Sequence, residues 1–576
     1  MDQRRRTSLC APLLGSINAS ERDFTQSKGN LMDHVRLLNG VRNESLVSGH
    51  KSLTSRAVGR FYTHEIIGKH LATAVLRVAA KRSGRSFLRL ADPFCGDGRL
   101  VVWLMERASR IETLKRLSWR IDVWDCEMAA VQEAYERISA KADELGMRVH
   151  INAVHRDSFV EAPQNYGQFD IVTTNPPWEI LKPDQRELRG LTPQEAVDYI
   201  GKLKERNKRL SLLFPLSKPK MMFSGWGTNL ARLGSEIALR LTAPEGVCGI
   251  VSPASLLADQ ISEDLRRWFF TGFRVTDLAY YPAEARLFQH VDQPAISVVA
   301  KHGSSANYSA PVAFYQSNAR SFDLSRLLVR RDRLEQNAWV LPLHLGVSGI
   351  ELLSKFRRWP QLREFESANP PGLWVGRELD ETGHHRFLDE AGDFLFIKGR
   401  MIRRFGLVEQ PSRFVKHDGP RIPGSASVWR VAWRDVARPS QKRRMHATII
   451  PPGWVTGNSL SVAYFRDHNR DRLLALLAVM NSLVFEFQVR AHLSTAHLSL
   501  GTIRQVRIPD LSDKGVVQRL ARIAKRCVRD RKFDTCEFEA VVAEEYGLHA
   551  NEFRTVLSSF HKIDTVEVHS LLEAIQ

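Results

Sequence analysis

The chain has little of several things, and each shortage removes a class of protein. It carries 6 cysteines in 576 residues, at positions 10, 95, 126, 248, 527 and 536, and no two form a C-x-x-C pair. That spacing argues against a disulfide framework and against structural zinc, so no metal site is expected. No apolar run approaches the ~20 residues of a spanning helix. The Leu-Cys-Ala-Pro-Leu-Leu stretch behind Arg4-Arg5-Arg6 is too short and interrupted for a signal peptide. A reduced cytoplasmic protein, away from membranes, is expected. No G-x-G-x-x-G is present, and no phosphate-binding loop ending in Lys-Ser/Thr. A nuclease arrangement of the Pro-Asp…Glu-x-Lys or His-Asn-His kind is also missing, and there is no internal repeat. Acidic residues are in deficit, with 64 Asp and Glu against 83 Lys and Arg, for a net charge of +19. This balance favours a polyanionic partner, although charge alone does not separate nucleic acid from a membrane surface.

What is present is more specific. Residues 173–179 read Thr-Thr-Asn-Pro-Pro-Trp-Glu and follow a short apolar strand, Phe169-Asp170-Ile171-Val172. Asn175 offers a side-chain carbonyl that can accept from an amino group. Proline fixes φ and lacks an N–H, so the carbonyl of Pro176 is a second, well-placed acceptor, and Pro177 stiffens the turn. Trp178 offers a ring face for stacking. Together they suit a flat substrate bearing an amine. The plain alternative is a proline turn around a buried Trp.

Upstream, Leu88-Arg89-Leu90-Ala91 runs into Asp92-Pro93-Phe94-Cys95-Gly96-Asp97-Gly98, and a helix pattern begins near Leu100. Glycines at 96 and 98 let backbone approach a ligand closely. Asp92 and Asp97 would repel a pyrophosphate but suit a cationic or amine-bearing ligand, such as the amino acid end of S-adenosylmethionine. The next strand, Trp119–Trp124, ends in Asp125, placed to accept from ribose hydroxyls. The third, Val149–Val154, is followed by Asp157 and Phe159. Asp157 could accept from an adenine amino group, and Phe159 could pack on its ring. Taken alone, each acid is more often an ordinary surface or capping residue. Their recurrence at strand C-termini favours the ligand reading, because open α/β sheets bind ligands there.

At this point the sequence resembles a known family, the amino-methylating DNA methyltransferases that act on N6 of adenine. The glycine loop resembles their cofactor motif and Asn175-Pro176-Pro177-Trp178 their catalytic motif. Phe61-Tyr62-Thr63 matches a segment that, in that family, lines the methionine side of S-adenosylmethionine. The order of these elements, followed by a long basic C-terminal region, is similar to the gamma group. Trp178 departs from the commoner Phe or Tyr, and His64 from the commoner Pro. The resemblance implies the catalytic set Asn175, Pro176, Pro177 and Trp178. It implies cofactor contacts from Phe61, Tyr62, Thr63, Asp92, Phe94, Gly96, Gly98, Asp125, Asp157 and Phe159. The target base would have to leave the duplex to be methylated. N4-cytosine, RNA and protein amino-group methylation are rival readings with the same chemistry. There is no Pro-Cys loop of the 5-methylcytosine kind. The resemblance further implies a monomer that protects double-stranded DNA from a separately encoded restriction endonuclease of type II, or type IIS.

The fold expected is α/β: a Rossmann-like domain with a mostly parallel twisted sheet, then a mixed α+β target recognition region. The expected organisation is a basic extension over 1–57 with a helix near Leu31–Leu38, a methyltransferase domain over 58–310, a recognition region over 311–510, and a helical segment over 511–576. The stretch 181–229 is rich in Lys and Arg and could touch backbone phosphates or form a solvated insertion. Residues 398–446 hold 13 Lys and Arg and three acids, with aromatics between them. Arg403, Arg404, Arg430, Arg434, Lys442, Arg443 and Arg444 are the candidates there for DNA contact. The run Leu473–Arg490 reads as one buried helix.

Overall fold

The computed structural model describes residues 62–81, 86–218, 227–259, 261–288, 291, 293–368, 371–416, 419–437, 441–492, 497–530 and 533–575. The expected extension over 1–57, its helix, and Phe61 lie outside the described residues.

Nine strands form one sheet: β1 Phe87–Asp92, β2 Ser118–Asp125, β3 Val149–His155, β4 Phe169–Thr174, β5 Thr242–Pro253, β6 Phe273–Tyr281, β7 Ala295–His302, β8 Asn307–Gln316 and β9 Ser321–Arg330. Their spatial order is β3-β2-β1-β4-β5-β7-β6-β8-β9. The strands run parallel except β7, which is reversed between β5 and β6, and β9, which closes the edge against β8. Successive residues of a strand point to opposite faces, and both faces are buried. Leu90 and Ile171 join a core with Leu71, Val75 and Val101, from the helices Glu65–Ala79 and Arg99–Ala108. Their neighbours Ala91 and Val172 join the opposite core with Leu233 and Ile237, from the helix Leu230–Leu241. The expected fold class is therefore present, and it brings the C-terminal ends of β1 to β4 to one edge of the sheet.

The boundary expected at 310 falls inside β8. The sheet runs on to Arg330, because Leu278–Tyr280 of β6 pair in parallel with Val312–Phe314 of β8.

From Leu345 a second core begins and continues to Ile575. One four-stranded sheet holds Leu373–Gly376, Leu460–Phe465, Arg430–Arg434 and Ala447–Ile450. Another holds Leu388–Asp389, Arg413–Val415, Phe394–Ile397 and Trp454–Thr456. The helices Lys514–Arg529, Thr535–Glu545 and Ala550–Ser558 pack into the same core, so 511–576 is continuous with the region before it. The single helix expected over Leu473–Arg490 is two, Arg470–Asn481 and Leu483–Ala491, bent by 63°. The break is at Ser482, which is extended and caps the second helix by accepting from the Phe485 N–H at 3.1 Å.

Candidate active site at the strand ends

β1 and β4 are neighbours in register, Leu90 beside Ile171 and Ala91 beside Val172, so the two motif loops leave the sheet side by side. The first loop is tied to the end of β2. Cys95 N–H donates to the Trp124 carbonyl at 3.0 Å, and Gly96 N–H to Asp125 Oδ2 at 3.1 Å. Gly96 and Gly98 both sit in the left-handed region, at φ 51° and 77°. A Cβ at Gly98 would also lie 3.0 Å from Ala134 Cα, so the residue is glycine for two reasons.

Asp92 ends β1 and is fully buried. Its Oδ1 accepts from the Phe94 N–H at 3.2 Å, while its Oδ2 is buried with no hydrogen-bond partner among the described residues. Burial pushes its carboxyl up to about 7; the Thr174 hydroxyl and the Phe94 N–H beside it oppose the shift only in part. Such an orphaned acceptor is costly in a folded chain unless something outside the chain uses it. Asp97 is different. It is buried but ion-paired to Arg99 at 2.6 Å and Arg137 at 2.8 Å, so it braces the loop and is not open to a cationic ligand.

The other expected cofactor residues gather around this loop. Asp125 is half-buried; besides Gly96 it accepts from the Glu127 N–H at 3.0 Å. Asp157 caps a short helix, its Oδ1 accepting from the Phe159 N–H at 3.0 Å, and its Oδ2 takes an ion pair from Arg206 at 3.0 Å. Phe159 is buried, 5.1 Å from the Phe94 ring and 6.4 Å from Phe214. Tyr62 is exposed on one side, with the Arg99 guanidinium 4.5 Å from its ring centre. Thr63 is buried, and its carbonyl accepts from Arg99 at 3.3 Å.

In the second loop Pro176 is buried, Asn175 and Pro177 are half-buried, and Trp178 is nearly covered. The Trp178 indole N–H donates to Asn175 Oδ1 at 3.0 Å. Its ring meets Phe288 at 4.5 Å, inclined by 53°. A Phe or Tyr at 178 could not hold the Asn175 carbonyl in this way. Three neighbours complete the loop's surroundings, and the sequence patterns assign them no role. Gly234 lets the loop pack on its helix, since a Cβ there would lie 2.2 Å from Pro176 Cβ and 3.1 Å from Phe94 Cε2. Phe288 shares the Trp178 wall. Glu179 follows directly, its carboxyl pushed up to about 7 by burial and then by Glu187. Only adjacency to the motif could have flagged Glu179; no spacing rule reaches the other two.

The basic run over 398–446 requires correction. Arg430 is fully buried, and its guanidinium donates to Glu378 at 2.7 and 3.0 Å. Arg443 is nearly buried, bonded to Glu486 at 2.9 Å, Glu539 at 3.2 Å and the Asn481 carbonyl at 2.7 Å. Arg404 reaches Glu539 at 3.3 Å and lies against the Phe405, Phe533 and Phe538 rings. Arg444 is buried and donates to the Ala437 carbonyl at 3.1 Å. These four arginines hold the second core together and are not open to DNA. Of the rest, Arg434 donates to the Ile402 carbonyl, Lys442 pairs with Glu567, and Arg403 is exposed. The two buried acids shift in opposite directions. The surrounding arginines outweigh burial at Glu486, holding it down at about 2, whereas burial dominates at Glu539 and raises it. Among the described residues no group of three or more His, Cys, Asp or Glu is arranged to hold a metal ion.

Comparison with known proteins adds the following. No family model and no curated protein matches the chain. Among solved structures it is similar to the type IIG restriction endonuclease BpuSI, at 15% identity over 92% of this chain and 67% of that one, with a TM-score of 0.41. The type IIL restriction-modification enzyme MmeI in complex with DNA gives 11% identity over 88% and 74%, with a TM-score of 0.46. A type I restriction-modification methyltransferase subunit from Streptococcus thermophilus gives 14% over 49% and 58%, with a TM-score of 0.32. At these values the likeness concerns the fold alone.

Proposed function

We propose that this protein is an S-adenosylmethionine-dependent DNA methyltransferase acting on the exocyclic amino group of a flipped-out base, N6 of adenine. The observation that carries the reading is the pairing of two loops at adjacent strand ends. One holds the orphaned, buried Asp92 carboxylate; the other presents Asn175, the Pro176 carbonyl and Trp178. The residues fit the cofactor, because an ammonium group is what an unpartnered buried carboxylate needs. S-adenosylmethionine, when bound, supplies an electrophilic methyl group on a sulfonium.

The chain's own residues do the remaining work. Asp92 accepts from the amino acid end. Asp125 and Asp157 accept from the ribose and adenine ends, and Phe94 and Phe159 wall the ring. Asn175 Oδ1 and the Pro176 carbonyl accept the two hydrogens of the target amine. That turns its lone pair out of conjugation and toward the methyl donor, so transfer is direct, by positioning and electrostatics. Asn175 Oδ1 already takes the Trp178 N–H, a contact that the incoming amine would share or displace. Trp178 and Phe288 must part to admit a ring between them.

With Arg404, Arg430, Arg443 and Arg444 in the interior, the DNA-facing charge is reassigned to the helix Pro193–Leu213. It follows the catalytic loop and exposes Lys202, Lys204, Lys208 and Arg209. Protection of DNA from a separate endonuclease, by a cytoplasmic monomer, belongs to the same proposal.

The test is to offer methyl-labelled cofactor with duplex DNA, RNA and protein in parallel and to identify the labelled product. Label in DNA as N6-methyladenine supports the reading. Label as N4-methylcytosine, in RNA or in protein would replace it, and no label in any of them would refute it.

A further inference from the structure

We propose that Arg206 sets the cofactor affinity of this site, by occupying the adenosine subsite of the free protein and being displaced when the cofactor enters. The inference rests on the methyltransferase reading above and adds a residue that reading does not contain. Arg206 lies on the helix Pro193–Leu213, whose start is fixed by a capping box between Thr192 and Glu195. The helix is held at its far end by Phe214, which is fully buried and edge-on to Phe159. It is also held by Asn207, whose side chain accepts from the Thr228 hydroxyl. Arg206 is thereby carried over the strand ends.

One contact locates its guanidinium, and its charge is felt at two further groups. It donates to Asp157 Oδ2 at 3.0 Å, beyond the end of β3. Its charge acts on the Cys126 thiol at the end of β2, where burial and the acids Asp125 and Asp157 push the thiol up to about 12 and Arg206 opposes them. It also acts on Glu179, beyond the end of β4. A cation therefore stands on the carboxylate assigned to adenine, and its charge is felt at the ends of β2 and β4.

Asp157 cannot serve both partners well. Its Oδ1 is taken by the Phe159 N–H and its Oδ2 by Arg206. A guanidinium on Oδ2 draws off the charge an adenine amine would use, and its bulk fills the approach. Both side chains are 28% exposed, so the pair is partly hydrated and can part at modest cost.

The experiment is calorimetric titration of the full chain, R206Q and R206K with S-adenosylmethionine, S-adenosylhomocysteine and adenosine. All three ligands share the adenosine half. R206Q is expected to bind each of them about five-fold more tightly than wild type, the scale of a partly exposed ion pair, with R206K in between. Raising salt from about 0.05 M to about 0.5 M is expected to tighten binding to wild type but not to R206Q, because screening weakens the competing pair. Equal or weaker binding by R206Q would overturn the proposal. Failure of both wild type and R206Q to bind any of the three would instead overturn the methyltransferase reading.

Discussion

Replacing Asp92 with asparagine isolates the group on which cofactor recognition depends. The side chain is fully buried, one oxygen accepts from the Phe94 N–H at 3.2 Å, and the other, near the Thr174 hydroxyl, makes no hydrogen bond of good geometry among the described residues. An ammonium bonded to that oxygen would contribute about 1.5–3 kcal/mol, the range for hydrogen bonds to charged groups. D92N should therefore weaken S-adenosylmethionine binding by roughly 10- to 150-fold. The pH dependence is the sharper part. With the carboxyl at about 7 in the free protein, its ionised fraction rises roughly eight-fold between about pH 6 and pH 7.5, and wild-type affinity should rise with it. D92N should lose that slope, although Glu179, also at about 7, remains in the variant. Stability should move the other way. A carboxyl raised from 3.8 to about 7 on folding destabilises the native state progressively as pH climbs through that window, and fully above it. D92N removes the penalty, so at pH 8 it should melt no lower than wild type. Calorimetric titrations across pH and a thermal melt provide the check. Unchanged affinity, or the same pH slope in D92N, would refute the reasoning.

Two further perturbations address other parts of the account. Arg443→Ala leaves Glu486 and Glu539 short of a cation inside the second core, and removing one partner of a buried ion pair costs about 3–5 kcal/mol. Urea unfolding should register that loss; normal stability with weakened DNA binding would return Arg443 to the DNA surface. Gly234→Ala puts a methyl 2.2 Å from Pro176 Cβ and 3.1 Å from Phe94 Cε2, so methyl transfer should fall by an order of magnitude or more, with a smaller loss of cofactor binding. Turnover kinetics would decide it, with near-normal kcat as the contrary result.

The sheet and the motif loops at its edge were legible because their signals are local. Strand patterns ending in Asp92, Asp125, Asp157 and Asn175 recur at regular intervals, and a parallel sheet gathers strand C-termini at one edge. The basic run was not legible, because what decides whether an arginine faces solvent lies far away in sequence. Glu378 is 52 residues from Arg430, and Glu486 and Glu539 are 43 and 96 from Arg443. Composition counted the arginines and missed the acids that neutralise them. Asp157 shows the same limit on a smaller scale, since Arg206 meets it from 49 residues downstream. The continuation of the sheet past 310 was hidden for a different reason. β8 joins the sheet beside β6, and strand pairing leaves no trace in local periodicity.

The most direct test of the central claim is methyl transfer by wild type and Asn175→Ala, followed by hydrolysis of the DNA and mass spectrometry of its nucleosides. Wild type should place the cofactor's labelled methyl on N6 of adenine. Asn175→Ala should place none, while binding S-adenosylmethionine as tightly as wild type, because the role proposed for Asn175 is toward the base. Near-normal adenine methylation by the variant, or no methylated adenine from wild type, would contradict the account.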